Sequence, residues 1–130
     1  MKYLFDSNIL IAAMMAGDTR LQARMAECDE GDIVTSAVVY AEVAHGCMHG
    51  KQPALDYLDT FVEEVAVLPF DRAASVAYAR LPFVRGSYDR LIAAHALSLG
   101  LTLITANERD FADVPDLQVE NWMLPPDSSA

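Results

Sequence analysis

Five short runs rich in β-forming residues, at 2–5, 32–35, 65–68, 101–104 and 117–119, alternate with longer stretches of helical periodicity. Alternation of this kind leaves few folds open. Right-handed crossovers between parallel strands lay their helices back on both faces of the sheet. The chain is therefore expected to be α/β and doubly wound, with a five-stranded, mainly parallel sheet sandwiched between helices. The helical stretches fall near residues 9–15, 19–28, 37–47, 54–64, 73–83 and 88–99, with Ser36, Asp71 and Ser87 placed to cap three of them and Gly100 to end the last. At 130 residues there is room for one core, read as residues 1–124 with a short flexible tail at 125–130.

Folds of this type bind ligands beyond the carboxyl ends of their strands, where the strand order reverses, so polar residues that directly follow strands matter most. Asp6 follows the first predicted strand and precedes a helix, which fits a helix N-cap as well as it fits a site. The pattern then recurs. Glu42 lies within two turns of the second strand end, flanked by Val38, Val39, Tyr40, Ala41, Val43 and Ala44, where a carboxylate is costly unless solvated, paired or bound to metal. Asp89 opens the apolar helix before the fourth strand, and Thr105, Asn107 and Asp110 follow that strand. Thr105 and Asn107 suit a short helix cap, which leaves Asp110 unaccounted for.

If the fold is right, Asp6, Glu42, Asp89 and Asp110 converge at one end of the sheet. Carboxylates packed together repel and raise one another's pKa unless a cation joins them. With oxygen donors and no histidine in the set, Mg²⁺ or Mn²⁺ suits better than zinc. Such ions promote in-line hydrolysis of phosphodiesters. The 19 acidic and 9 basic residues, a formal charge of −10, disfavour broad charge-driven binding of nucleic acid, but a bound metal reverses the sign where a phosphate docks.

These segments resemble PIN-domain ribonucleases of the VapC toxin type, from Phe5-Asp6-Ser7-Asn8-Ile9-Leu10 through Tyr88-Asp89-Arg90-Leu91-Ile92-Ala93-Ala94-His95 to Thr102-Leu103-Ile104-Thr105-Ala106-Asn107 and Val114-Pro115-Asp116-Leu117. The similarity runs through nearly the whole chain in order. It implies a PIN-like fold, Mg²⁺ or Mn²⁺, and endonucleolytic cleavage of RNA, with tRNA or a ribosomal RNA loop as target. The usual acids of that family fall on Asp6, Glu42 and Asp89, with Asn8, Thr105 and Asn107 as supporting polar groups. Many relatives carry an acid where this chain has Asn107, so Asp110 becomes the candidate for the fourth charge. The resemblance assigns Asp6 and Asp89 as principal ligands, Glu42 as ligand or water activator, Asp110 as a further carboxylate, and Thr105 and Asn107 as water positioners. It also implies a homodimer and a VapB-type antitoxin that blocks the acidic pocket. Arg85, Arg90, Arg109 and Lys51 are candidate phosphate contacts, although each also reads as a solvated surface charge.

Other signals point to structure. His45 and His49 read as helix-surface or interface residues, His95 as a packed, hydrogen-bonded helix residue, and Met14, Met15, Met25, Leu10 and Leu21 as helix packing. Cys28 and Cys47 lack CxxC spacing and are expected to be reduced and buried. Asp6 interrupts what a signal peptide would need and no apolar run is long enough for a membrane span, which suggests a soluble, cytoplasmic protein with no membrane partner. The competing functions are a catalytically silent PIN-like module that binds a partner, an aspartate-based phosphatase built on Asp6, and a receiver-like phosphoacceptor built on Asp71 and Thr105. The phosphatase expects a second acid where Asn8 stands, and the receiver expects paired acids and a late lysine that the chain lacks.

Overall fold

A computed structural model describes residues 1–82 and 87–125. Among them the order is β1 (Tyr3–Phe5), α1 (Ser7–Met15), α2 (Thr19–Ala26), β2 (Ile33–Ser36), α3 (Ala37–Met48), α4 (Leu55–Phe61), β3 (Ala66–Leu68), α5 (Arg72–Ala79), α6 (Tyr88–Leu99), β4 (Thr102–Ile104), a 3₁₀ turn (Glu108–Phe111) and β5 (Val119–Glu120). The strands form one parallel sheet in the order β3-β2-β1-β4-β5. The chain thus builds outward from β1 to one edge, then returns to β1's other side through β4. Phe5 pairs with Thr35 on one side and Ile104 on the other, so the residues after β1 and β4 emerge side by side.

Leu4, Phe5, Leu103 and Ile104 are fully buried, as are Ile9 and Leu10 of α1 and Ile92 of α6. Burying such side chains stabilises the fold by about 1.5–3 kcal/mol each. Trp122 closes the β1 flank, edge-on to Tyr3 at 4.7 Å and to Phe5 at 5.6 Å, with Arg24 over its ring. Leu10, Met14 and Leu21 are core residues, Met25 is half-buried and Met15 is exposed.

Ser36, Asp71 and Ser87 cap α3, α5 and α6 by accepting N–H groups of Val38, Ala74 and Arg90, and Gly100 ends α6 in the left-handed conformation. Three helices are shorter than their periodicity suggests. The chain after α4 continues through tight turns, Glu63 N–H to the Thr60 carbonyl and Glu64 N–H to the Phe61 carbonyl, which feed β3. After α5, Pro82 disfavours helical backbone at Leu81, so α5 ends at Ala79. The expected end of that helix at Phe83, with Arg85, Gly86 and the tail residues 126–130, lies outside the described residues. After α2 the chain turns through Gly31 at φ 85°, a conformation that favours glycine. Cys28 and Cys47 are free thiols but half-buried rather than buried, since each sits near an exposed helix end. Among the described residues no helix is long and apolar enough to cross a membrane.

Candidate active site

The strand order turns round between β1 and β4, and the crevice beyond their carboxyl ends is where such sheets bind ligands. Asp6 and Thr105 are the next residues after those strands, and their backbones prolong the ladder. Asp6 N–H donates to the Ile104 carbonyl at 2.9 Å, and Thr105 N–H to the Glu120 carbonyl at 3.0 Å. The side chains then meet, with Thr105 Oγ1 donating to Asp6 Oδ2 at 2.7 Å. The other oxygen, Oδ1, accepts the Ser7 N–H at 2.8 Å. Asp6 is therefore the N-cap of α1, and that cap is only half of its bonding.

At 5% exposure, Asp6 lies where a carboxylate is poorly hydrated. Burial raises its pKa above the ordinary value, the bonds from Thr105 and Ser7 oppose the rise, and Glu42 and Asp110 add to it. Asp89 occupies the first turn of α6 and is half-buried. Burial, and then the charges of Asp6, Asp110 and Glu42, push its carboxyl up to about 6. The four acids singled out in the sequence thus act on one another across four separate segments.

Glu42 departs from expectation in its surroundings. Its residue is exposed at the mouth of the crevice, so the apolar flanks Val39, Val43 and Ala44 are buried while the carboxylate itself is open to water. Ser7 Oγ donates to Glu42 Oε1 at 2.6 Å and ties α1 to α3. The partner of Ser7 stands 35 residues away, so nothing local in the sequence signals the bond.

Thr105 also differs. Its single O–H is given to Asp6 and its oxygen accepts the Asn107 N–H at 3.0 Å, so the hydroxyl orients a carboxylate and has no proton left for a water. Asn107 stands at the start of the 3₁₀ turn with its side chain making no capping bond, exposed beside Asp110, which is also exposed. Asn8 is exposed on the first turn of α1.

The cations divide. Arg90, expected as a surface charge, is only 6% exposed. Its Nη2 pairs with Asp113 Oδ2 at 2.5 Å and its Nη1 is buried with no hydrogen-bond partner among the described residues. Its partner Asp113 follows the 3₁₀ turn and is itself exposed, so the pair ties that turn to the helix carrying Asp89. Arg109 and Lys51 are exposed. His95 is buried, its Nδ1 2.7 Å from Ser36 Oγ and its ring edge-on to Phe70, and burial lowers its pKa. His45 and His49 stack on the exposed face of α3 with centroids 4.2 Å apart.

The donor set suits a hard cation, since every candidate is an oxygen and the mutual repulsion of the acids is what a divalent ion relieves. Among the described residues, however, no three acidic, histidine or cysteine side chains close into a formed metal cage. An open set fits Mg²⁺, which binds through one or two carboxylates and keeps several waters.

A parallel sheet whose reversal point gathers Asp6, Asp89, Glu42 and Asp110 defines a class that comparison identifies. The PIN domain family matches residues 3–117, and the chain belongs to that family. Within it, the chain is of the VapC group: it is 30% identical over 131 residues to the tRNA(fMet)-specific endonuclease VapC of Shigella flexneri, with 94% of this chain and 98% of the relative covered. The structure of VapBC2 from Rickettsia felis bound to a DNA fragment from their promoter matches with a TM-score of 0.82 at 26% identity, covering 94% of this chain and 99% of that one. VapBC-1 from nontypeable Haemophilus influenzae matches with a TM-score of 0.80 at 30% identity, covering 95% and 100%.

Proposed function

We propose that this VapC-type PIN domain is a divalent-metal-dependent endoribonuclease and the toxin of a VapBC-type toxin–antitoxin pair. It acts in the cytoplasm as a homodimer, each chain using residues 1–124 as one domain. The observation that carries the metal requirement is the gathering of four acids at the sheet's reversal point, where burial first, and then the charges of Asp6, Asp110 and Glu42, raise the Asp89 carboxyl to about 6. The match to VapC ribonucleases carries the rest.

Bound Mg²⁺ or Mn²⁺ supplies positive charge to the phosphate oxygens and lowers the pKa of a water. Asp6 and Asp89 would hold it, and the exposed Asp110 would offer a further carboxylate. Thr105 and Ser7 fix the Asp6 carboxylate so that it meets its ligand without reorienting. In hydrolysis, a water oxygen bonds to phosphorus as the bond to the 3′ oxygen breaks on the opposite side. Glu42, hydrated and held by Ser7, takes the attacking water's proton, and the leaving oxygen gains one from solvent. Asn107 offers an exposed amide to a water or a phosphate oxygen, Asn8 lines a cavity beside the crevice, and the exposed Arg109 supplies positive charge to the approaching strand. A VapB-type antitoxin carrying a basic segment complements the acidic crevice.

The test is incubation of total RNA and of tRNA(fMet) with purified, antitoxin-free protein in Mg²⁺, Mn²⁺ or EDTA. Discrete cuts that vanish in EDTA and in Asp89→Asn are expected. Cutting that survives EDTA would overturn the metal requirement, and no cutting of any RNA would leave a partner-binding PIN module.

A further inference from the structure

An open cavity of about 170 Å³ lies beside the acid crevice, between the start of α1 and the C-terminal half of α3. Its walls include Asn8, Glu42, Cys47, Lys51 and Gln52. Free small molecules usually occupy roughly 300 Å³ or more. This cavity therefore suits one unit of a longer chain better than a metabolite.

Lys51 is the one cation in its lining. Lys2, Arg24 and Arg90 are committed to ion pairs, whereas the Lys51 ammonium has no ion pair among the described residues. Its stem is nevertheless held. Gly50, at φ 88°, turns the chain back off α3, and Lys51 N–H donates to the Gly46 carbonyl at 2.9 Å. The stem then lies against Gly46, where a Cβ would come 3.4 Å from the lysine Cδ. A side chain pinned at its root beside two primary amides, Asn8 and Gln52, presents one point charge and groups that both donate and accept. A ribose-phosphate unit needs both: a cation for the phosphate, and a donor-acceptor pair for the 2′-hydroxyl.

We propose that this cavity is a backbone subsite for single-stranded RNA, in which Lys51 binds a phosphate next to the one that is cleaved. Ser7, which lines this cavity, bonds Asp6 through its N–H and Glu42 through its Oγ, so the cavity adjoins the acids over which the cleaved phosphate would lie. The inference rests on the endoribonuclease reading and adds where the strand runs.

The experiment is fluorescence anisotropy with a labelled, mixed-sequence single-stranded RNA across a salt series, in an Asp89→Asn background that does not cut the probe, with wild-type cleavage followed in parallel. Lys51→Ala should weaken binding about tenfold and reduce the log–log salt slope by about 0.7, the value for one phosphate contact on a single strand. Lys51→Arg should restore both, and Lys51→Ala in the wild-type background should raise KM with kcat little changed. Binding and slope unaltered by Lys51→Ala, or a parent that binds no RNA, would overturn the subsite even if the wild type cuts. A wild type that cuts nothing while Lys51-dependent binding persists would instead overturn the nuclease reading and leave the subsite standing.

Discussion

Asp6 and Asp71 share one local arrangement in two parts of the sheet. Each follows a strand, each has extended backbone, and each accepts a backbone N–H to start a helix. Asp71 lies beyond the edge strand β3, exposed, with Oδ1 bonded to Ala74 N–H at 2.9 Å. Asp6 lies beyond central β1 with Thr105 on its second oxygen, and burial, with Glu42 and Asp110 adding to it, raises its pKa. Capping is thus a property of the local sequence, whereas the mutual stress of these acids arises where the sheet's reversal brings distant segments together. The same contrast disposes of a phosphoacceptor built on Asp71, because the Thr105 hydroxyl it would use is bonded to Asp6.

The comparison can be broken most severely by exchanging function between the two positions. Asp6→Asn keeps a capping side chain but should lower kcat for RNA cleavage by about a hundredfold to a thousandfold, the scale seen when a transition-state electrostatic group is lost. Asp71→Asn should leave cleavage unchanged in the same assay. Thr105→Val removes the bond that orients Asp6 without touching the carboxylate. It should weaken Mn²⁺ binding by about 10–100-fold by calorimetry, the usual cost of losing a group that orients a ligand.

A subtler difference concerns pH. Asp89's folded pKa of about 6 lies above its ordinary 3.8, so the folded chain holds that proton more tightly than the unfolded chain does. The contribution is fully present below pH ~4 and is lost as pH rises through about 6. Metal-free protein should therefore show a falling urea midpoint from pH 4 to 7, Asp89→Asn should flatten the fall, and Mg²⁺, which binds the deprotonated acid, should oppose it. The smallest effect belongs to the edge: Asp71→Ala should cost about 1 kcal/mol in urea unfolding with cleavage intact.

Much of the fold is legible in the sequence because periodicity and caps are local. Tyr88–Leu99 begins and ends where Ser87 and Gly100 predict, and all five strands lie within two residues of their apolar runs. The helix ends that differ depend on tight turns and on Pro82, which periodicity does not register. The four acids are legible because each lies within two turns of a strand's end or opens a helix beside one. What holds them is not: Ser7 reaches Glu42 across 35 positions, Thr105 reaches Asp6 across 99, and Arg90 reaches Asp113 across 23. Such pairings arise from the strand order, which no window of sequence contains.

The central claim is that the acids at the reversal point share a divalent ion, and Mn²⁺ binding followed by electron paramagnetic resonance at pH 7.5 tests it most directly. Wild type and Asp71→Asn should bind alike, while Asp6→Asn and Asp89→Asn should each lose most of the bound signal. Equal binding by all four proteins would contradict the account.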